Sequence, residues 1–137
     1  EVSEVVYDSR KAAPGAVFVC MAGTRVDSHR FVPDVLKAGV RVLVTERGIE
    51  EELGKAAEES GLTEEELSRV TVLKTGDGRH ALALLSAARF GYPAAKMVTI
   101  GVTGTKGKTT TTHMIKTILE AAGKKVGMIG TTGTVTV

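Results

Sequence analysis

Between Gly104 and Thr109 the chain reads G-T-K-G-K-T, and three more threonines, Thr110 to Thr112, follow. Glycines at this spacing permit backbone conformations and close approaches that a side chain would block, so successive N–H groups can turn toward phosphate oxygens. Lys108 is placed to reach the β and γ phosphates of a nucleotide, and the Thr109 hydroxyl is the expected magnesium ligand. A helix starting here adds its dipole to the anion site. The long phosphate-loop pattern, G-x-x-x-x-G-K-S/T, asks for glycine at position 102; this chain has Val102, so the match is to the shorter G-x-x-G-K-T. Context supplies what the motif needs. An apolar run, Met97 to Val102, precedes the loop, and a helical stretch from about Lys108 to Ala122 follows, with Gly123 to stop it. The phosphate-binding candidates are Gly104, Thr105, Lys106, Gly107, Lys108, Thr109 and Thr110. Thr111 and Thr112, poor helix formers, are assigned to packing or capping. The competing reading is a Gly/Thr turn carrying a surface lysine.

The elements that must position this loop alternate between strand and helix. Glu4 to Tyr7, Ala16 to Met21, Val40 to Thr45 and Val70 to Lys74 are short β-branched runs bounded by Gly, Pro or polar residues, each a predicted strand. Between them Phe31, Val32, Val35 and Leu36 share one helical face, with Pro33 in the first turn and Gly39 at the end. Thr63 and Glu66 have capping-box spacing, and Leu62 and Leu67 are spaced as a hydrophobic staple. The acidic residues Glu50 to Glu52 and Glu58 to Glu66 read as a solvated helix face rather than a metal site. A periodic helix then runs from Asp77 until Gly91 and Pro93 terminate it.

A boundary is expected at Gly91 to Lys96, dividing residues 1–93 from 94–137. Beyond it, Met97–Val102, the loop, the helix and a second apolar strand, Lys125–Gly130, make one βαβ unit. Its non-alternating strands read as buried on both faces. The fold class expected is α/β: an N-terminal α/β domain followed by the first βαβ unit of a phosphate-loop ATP-binding domain.

Composition excludes several classes. The 137 residues carry a net charge of +2 and 4% aromatics, with Lys and Arg dispersed, so the footprint of a nucleic-acid binder is absent. No apolar run approaches the roughly 18 residues of a membrane helix, and no basic start leads into an apolar segment, so the expected location is cytoplasmic. The single cysteine, Cys20, lies in an apolar run and reads as a small buried hydrophobe. His80 and His113 have no metal-site spacing.

The stretch T-I-G-V-T-G-T-K-G-K-T-T-T-T-H-M-I followed by K-K-V-G-M-I-G-T-T-G resembles the start of the ATP-binding central domain of the Mur ligases, ATP-dependent amide-forming enzymes of peptidoglycan precursor synthesis. Upstream, Y-D-S-R-K-A-A-P-G-A-V-F-V-C-M-A-G-T-R-V-D-S-H-R-F-V resembles the N-terminal domain in which that family holds the uridine diphosphate of its substrate. The likeness covers nearly the whole chain. Within the family, D-G-R-H-A-L-A-L-L-S-A-A-R-F-G-Y-P and G-M-I-G-T-T-G resemble the members that add the third residue to UDP-N-acetylmuramoyl-L-alanyl-D-glutamate.

The resemblance implies ATP and Mg2+ as cofactors, and a UDP-N-acetylmuramoyl dipeptide and a diamino acid as partners. It places Tyr7 and Ser9 beside the uracil, with Thr24, Arg25 and Val26 across the pocket. Asp8 and Arg10 read equally as ligands or as an ion pair holding the turn; Ser28 stands where a glycine is common and His29 is offset by one, so His29 is assigned to scaffold. The implied reaction passes through an acyl phosphate, with Lys108 and Thr109 as catalytic residues. It also implies a fragment of a longer enzyme, inactive by itself and able to self-associate through unpaired strands. The family's substrate-binding Thr-Thr pair is not Thr131-Thr132. Alternatives are the family members that add D-alanyl-D-alanine, a phosphotransferase, and a non-catalytic nucleotide-binding module.

Overall fold

The four β-branched runs form one sheet. In the computed structural model, which describes residues 2–23 and 26–135, β1 (Glu4–Val6), β2 (Ala16–Val19), β3 (Val42–Thr45) and β4 (Thr71–Lys74) lie side by side in sequence order, every pair parallel. Register is fixed by pairs such as Val6 with Phe18, Phe18 with Leu43, and Leu43 with Val72.

Successive strand residues point to opposite faces, and each face finds its own cover. On one side Val6, Ala16, Phe18, Cys20 and Leu43 pack with α1 (Val32–Lys37) and α2 (Glu50–Ser60) through Val32, Val35, Leu36 and Ala56. On the other, Val17, Val19 and Val44 receive Ala81, Leu82 and Leu85 of α4 (Gly78–Arg89). Each large side chain buried here contributes roughly 1.5–3 kcal/mol. The result is a layered α/β unit.

Local signals set the helix ends. Pro33 sits in the first turn of α1, as its ring requires. α3 (Glu64–Ser68) opens on the full capping box: the Glu66 N–H donates to Thr63 Oγ1 at 3.2 Å, and Thr63 N–H donates to Glu66 Oε2 at 2.9 Å. Asp77 caps α4 by accepting from the His80 N–H at 3.0 Å.

The chain divides into two compact units, Glu1–Lys96 and Met97–Val137. In the second, α5 (Lys108–Ala121) starts at Gly107 and stops where Gly123 adopts φ 74°. The flanking strands differ from expectation. Met97–Val102 forms no ladder among the described residues, and the second run contributes only β5 (Met128–Gly130), paired antiparallel with β6 (Gly133–Val135) around Thr131-Thr132. A strand apolar on both faces needs neighbours on both edges, and the described residues offer Met97–Val102 none. Val98 and Ile129 are accordingly 92% and 84% exposed.

Candidate functional site

In a parallel sheet all strands end on the same edge, so the residues that follow them gather there, the usual place for ligand groups in open α/β folds. Tyr7 follows β1 and is exposed; Ser9 begins a single helical turn, Ser9–Lys11. Asp8 holds that turn. Its carboxylate accepts from the Arg10 backbone N–H at 3.1 Å and from the guanidinium at 2.9 and 2.6 Å, and that partnership lowers the Asp8 pKa to about 2. The Ser9 hydroxyl makes no hydrogen bond among the described residues, which leaves it open to a ligand.

After β2 the chain makes a narrow loop closed by a bridge between Ala22 and Asp27 and by the Gly23 N–H donating to the Val26 carbonyl at 3.1 Å. Val26, on the returning side of the loop, is half exposed. Thr24 and Arg25 lie outside the described residues. Tyr7, Ser9 and Val26 thus share one end of the sheet, each on a connection that leaves a strand.

Asp27, His29, Glu46, Arg47 and Glu52 hold this end together. His29 is fully buried; its Nε2 accepts from the Glu46 N–H at 3.2 Å, which puts the ring proton on Nδ1, donated to Asp27 Oδ1 at 2.5 Å. The scaffold role expected for His29 matches this placement. Arg47 donates to Asp27 Oδ2 at 3.2 Å and to Glu52 Oε1 at 2.5 Å. Partial burial pushes the Asp27 carboxyl up, but the His29 backbone and ring N–H groups and Arg47 outweigh it and hold the group below the ordinary carboxylate range. The Arg47 guanidinium lowers Glu52 likewise, against its burial. Glu52 therefore departs from the expected solvated acidic face: it turns inward to a partner. Glu46 and Arg47 directly follow the apolar run V-L-V-T, and charge placed immediately after a buried strand was the signal available for them. Burial raises the Cys20 thiol to about 12, so it stays protonated and inert.

The second unit carries the candidate phosphate loop. Gly107 has φ 77° and Gly104 φ 148°, conformations that disfavour any side chain. No side chain caps α5, so its first N–H groups are left for an incoming acceptor. Lys108 Nζ donates to the Gly104 carbonyl at 2.5 Å, drawing the ammonium across the loop. Thr112 Oγ1 donates back to the Thr109 carbonyl at 2.9 Å within α5, which is not a cap, and the Thr109 hydroxyl makes no hydrogen bond among the described residues. Thr105, Lys106 and Thr110 are exposed on the same loop and first turn. These donors fit a nucleotide phosphate chain. Among the described residues there is no cluster of three His, Cys, Asp or Glu able to cage a metal, and the Thr109 hydroxyl is the group here that would hold a magnesium ion. Among the described residues no helix is long and apolar enough to cross a membrane.

Comparison with known proteins gives these placements a context. The family described as "Mur ligase family, catalytic domain" matches residues 1–90, which lie in the first unit and stop short of the phosphate loop. The UDP-N-acetylmuramoyl-L-alanyl-D-glutamate--2,6-diaminopimelate ligase of Syntrophomonas wolfei is 41% identical over 131 residues, covering 96% of this chain and 24% of that protein. The enzyme of the same name from Clostridium perfringens is 40% identical, with the same coverage. The chain thus spans about a quarter of the length of these curated relatives. Among solved structures, a crystal structure of MurF from Acinetobacter baumannii matches with TM-score 0.59 and 32% identity, over 88% of this chain and 22% of that one.

Proposed function

The chain belongs to the Mur ligase family, and we propose that it supplies the uridine-holding unit and the phosphate loop of an ATP-dependent ligase adding the third amino acid to UDP-N-acetylmuramoyl-L-alanyl-D-glutamate. The observation that carries this reading is the match to diaminopimelate-adding ligases over 96% of the chain, which takes in both the Asp8-Ser9-Arg10 turn and the Gly104–Thr109 loop. In this reading residues 1–93 form the UDP-substrate domain and 94–137 the start of the ATP-binding domain, working in the cytoplasm.

Each residue then has a task. Tyr7, Ser9, Thr24, Arg25 and Val26 hold the uridine. Gly104 to Thr110 hold the triphosphate, with Lys108 moving its ammonium from the Gly104 carbonyl to the β and γ phosphates. Magnesium held through Thr109 would neutralise charge on the phosphates. The substrate's D-glutamyl γ-carboxylate takes the γ-phosphoryl group, giving an acyl phosphate and ADP; the diamino acid's amine then displaces phosphate and leaves the amide. Such transfers depend on positioned charge, so removing one contact costs on the order of 100-fold or more in turnover.

Diaminopimelate, the amino acid in the relatives' names, is the first to test, with lysine as the alternative. The likeness to a solved D-alanyl-D-alanyl ligase from Acinetobacter baumannii, at 32% identity, favours a second reading, addition of D-alanyl-D-alanine, at lower identity than the diaminopimelate-adding relatives show. The test is product analysis of the whole enzyme: ADP forms only when the UDP-dipeptide and the diamino acid are both present, and Lys108→Ala lowers that rate about 100-fold or more. ADP release without the amine would favour a phosphotransferase, and no turnover at all a binding module.

A further inference from the structure

Glu46 and Arg47 follow β3 directly and reach the two feet of the loop between Ala22 and Asp27. At the first foot Glu46 Oε2 accepts from the Ala22 N–H at 2.7 Å. At the second Arg47 Nη2 donates to Asp27 Oδ2 at 3.2 Å, and Asp27 is held again by the His29 ring. The other oxygen of the same Glu46 carboxylate, Oε1, accepts from the Gly78 N–H at 2.7 Å, so one side chain ties the loop after β2 to the first turn of α4 across the end of β3. The fit there is close. A Cβ on Gly78 would stand 2.8 Å from both the Cys20 carbonyl and Glu46 Oε1. A carboxylate suits this place because it presents two acceptors to two backbone donors that no other group satisfies among the described residues.

We propose that Glu46, seconded by Arg47, is a positioning residue for nucleotide recognition: it fixes the feet of the loop that carries Val26, at the sheet end shared with Tyr7 and Ser9, and a uridine diphosphate bound there depends on it without touching it. The inference rests on the uridine site proposed above. Loops that close over a ligand bind it more tightly when their geometry is set beforehand, since the ordering cost is already met. Glutamine in this position keeps the size of the side chain but replaces one acceptor with an NH2 donor facing a backbone N–H. Aspartate keeps the charge but is one methylene short of spanning both donors.

The experiment compares the 137-residue chain with its Glu46→Gln and Glu46→Asp variants, by amide exchange and by UDP titration. The expected result is at least tenfold faster exchange at one or both of Ala22 and Gly78 in each variant, unchanged protection of the sheet amides of Phe18 and Leu43, and a UDP Kd raised tenfold or more. In both variants the UDP-induced shift at Val26 shrinks while those at Tyr7 and Ser9 persist. Faster exchange with a UDP Kd within twofold of the parent chain overturns the inference, as does loss of sheet protection, since Glu46 then serves the fold alone. A Glu46→Asp chain that binds like the parent while Glu46→Gln fails also overturns it, because charge and not reach would be what UDP senses. Failure of the parent chain itself to bind UDP removes the uridine site and this inference together, whereas binding that Glu46→Gln leaves intact removes this inference only.

Discussion

Residues 1–96 and 97–137 are built from similar apolar strands and amphipathic helices, yet only the first unit buries them. There the sheet has helices on both faces, and Phe18, Leu36 and Leu43 are fully covered, while Val72 and Leu73 of the edge strand β4 stay partly exposed. In the second unit Val98, Ile100, Met114, Ile118 and Ile129 remain exposed, and of its described apolar residues only Met128 is buried. Both units carry residues proposed to hold a ligand. What separates them is whether the scaffold below those residues is closed by contacts the described chain supplies.

The largest consequence is for core substitutions. Phe18→Ala should cost about 3–5 kcal/mol in urea unfolding, since it leaves a cavity between β2 and α1. Ile129→Ala should change stability by less than about 0.5 kcal/mol. A comparable loss at Ile129 would mean that its side chain is covered, by a second copy or otherwise, and would erase the contrast.

A second expectation concerns protection. In a monomer, amides of the first unit's sheet should exchange on the order of 100-fold more slowly than those of residues 97–135. Light scattering decides between the two ways the exposed strands can be relieved: association of copies with raised protection, or a loose monomer. A monomer with equal protection in both units would show that 97–135 needs no further cover.

The contrast also explains what could be read from the sequence. The strands of the sheet, the Thr63–Glu66 box, the Pro33 and Gly123 ends and the start of α5 after Gly107 were legible because each is encoded within a few residues. Met97–Val102 reads as a strand and forms no ladder among the described residues, because a strand's partners are not local information. Glu46 and Arg47 were passed over for the same reason: their partners Ala22, Asp27 and Gly78 are far away in sequence.

Two smaller effects sharpen the picture within the first unit. Asp77→Ala removes the α4 cap and should cost about 1 kcal/mol, read as a lower melting temperature. Acid should act at the Ala22–Asp27 loop. Asp27 and Glu52 are held below their ordinary values when folded, so their contribution is complete above the ordinary carboxylate range of about 4 and is lost as pH falls through their lowered folded values. For the half-exposed Asp27–Arg47 pair the loss should stay below about 1 kcal/mol. Stability that rises on acidification from about pH 5 to 3 would contradict the sign.

UDP titration of the chain, followed through its amide shifts, tests the uridine site most directly. The predicted result is saturable, weak binding with the largest shifts at Tyr7, Ser9 and Val26 and none in residues 97–135. Shifts scattered across the sheet, or centred on Gly104–Thr110, would contradict it.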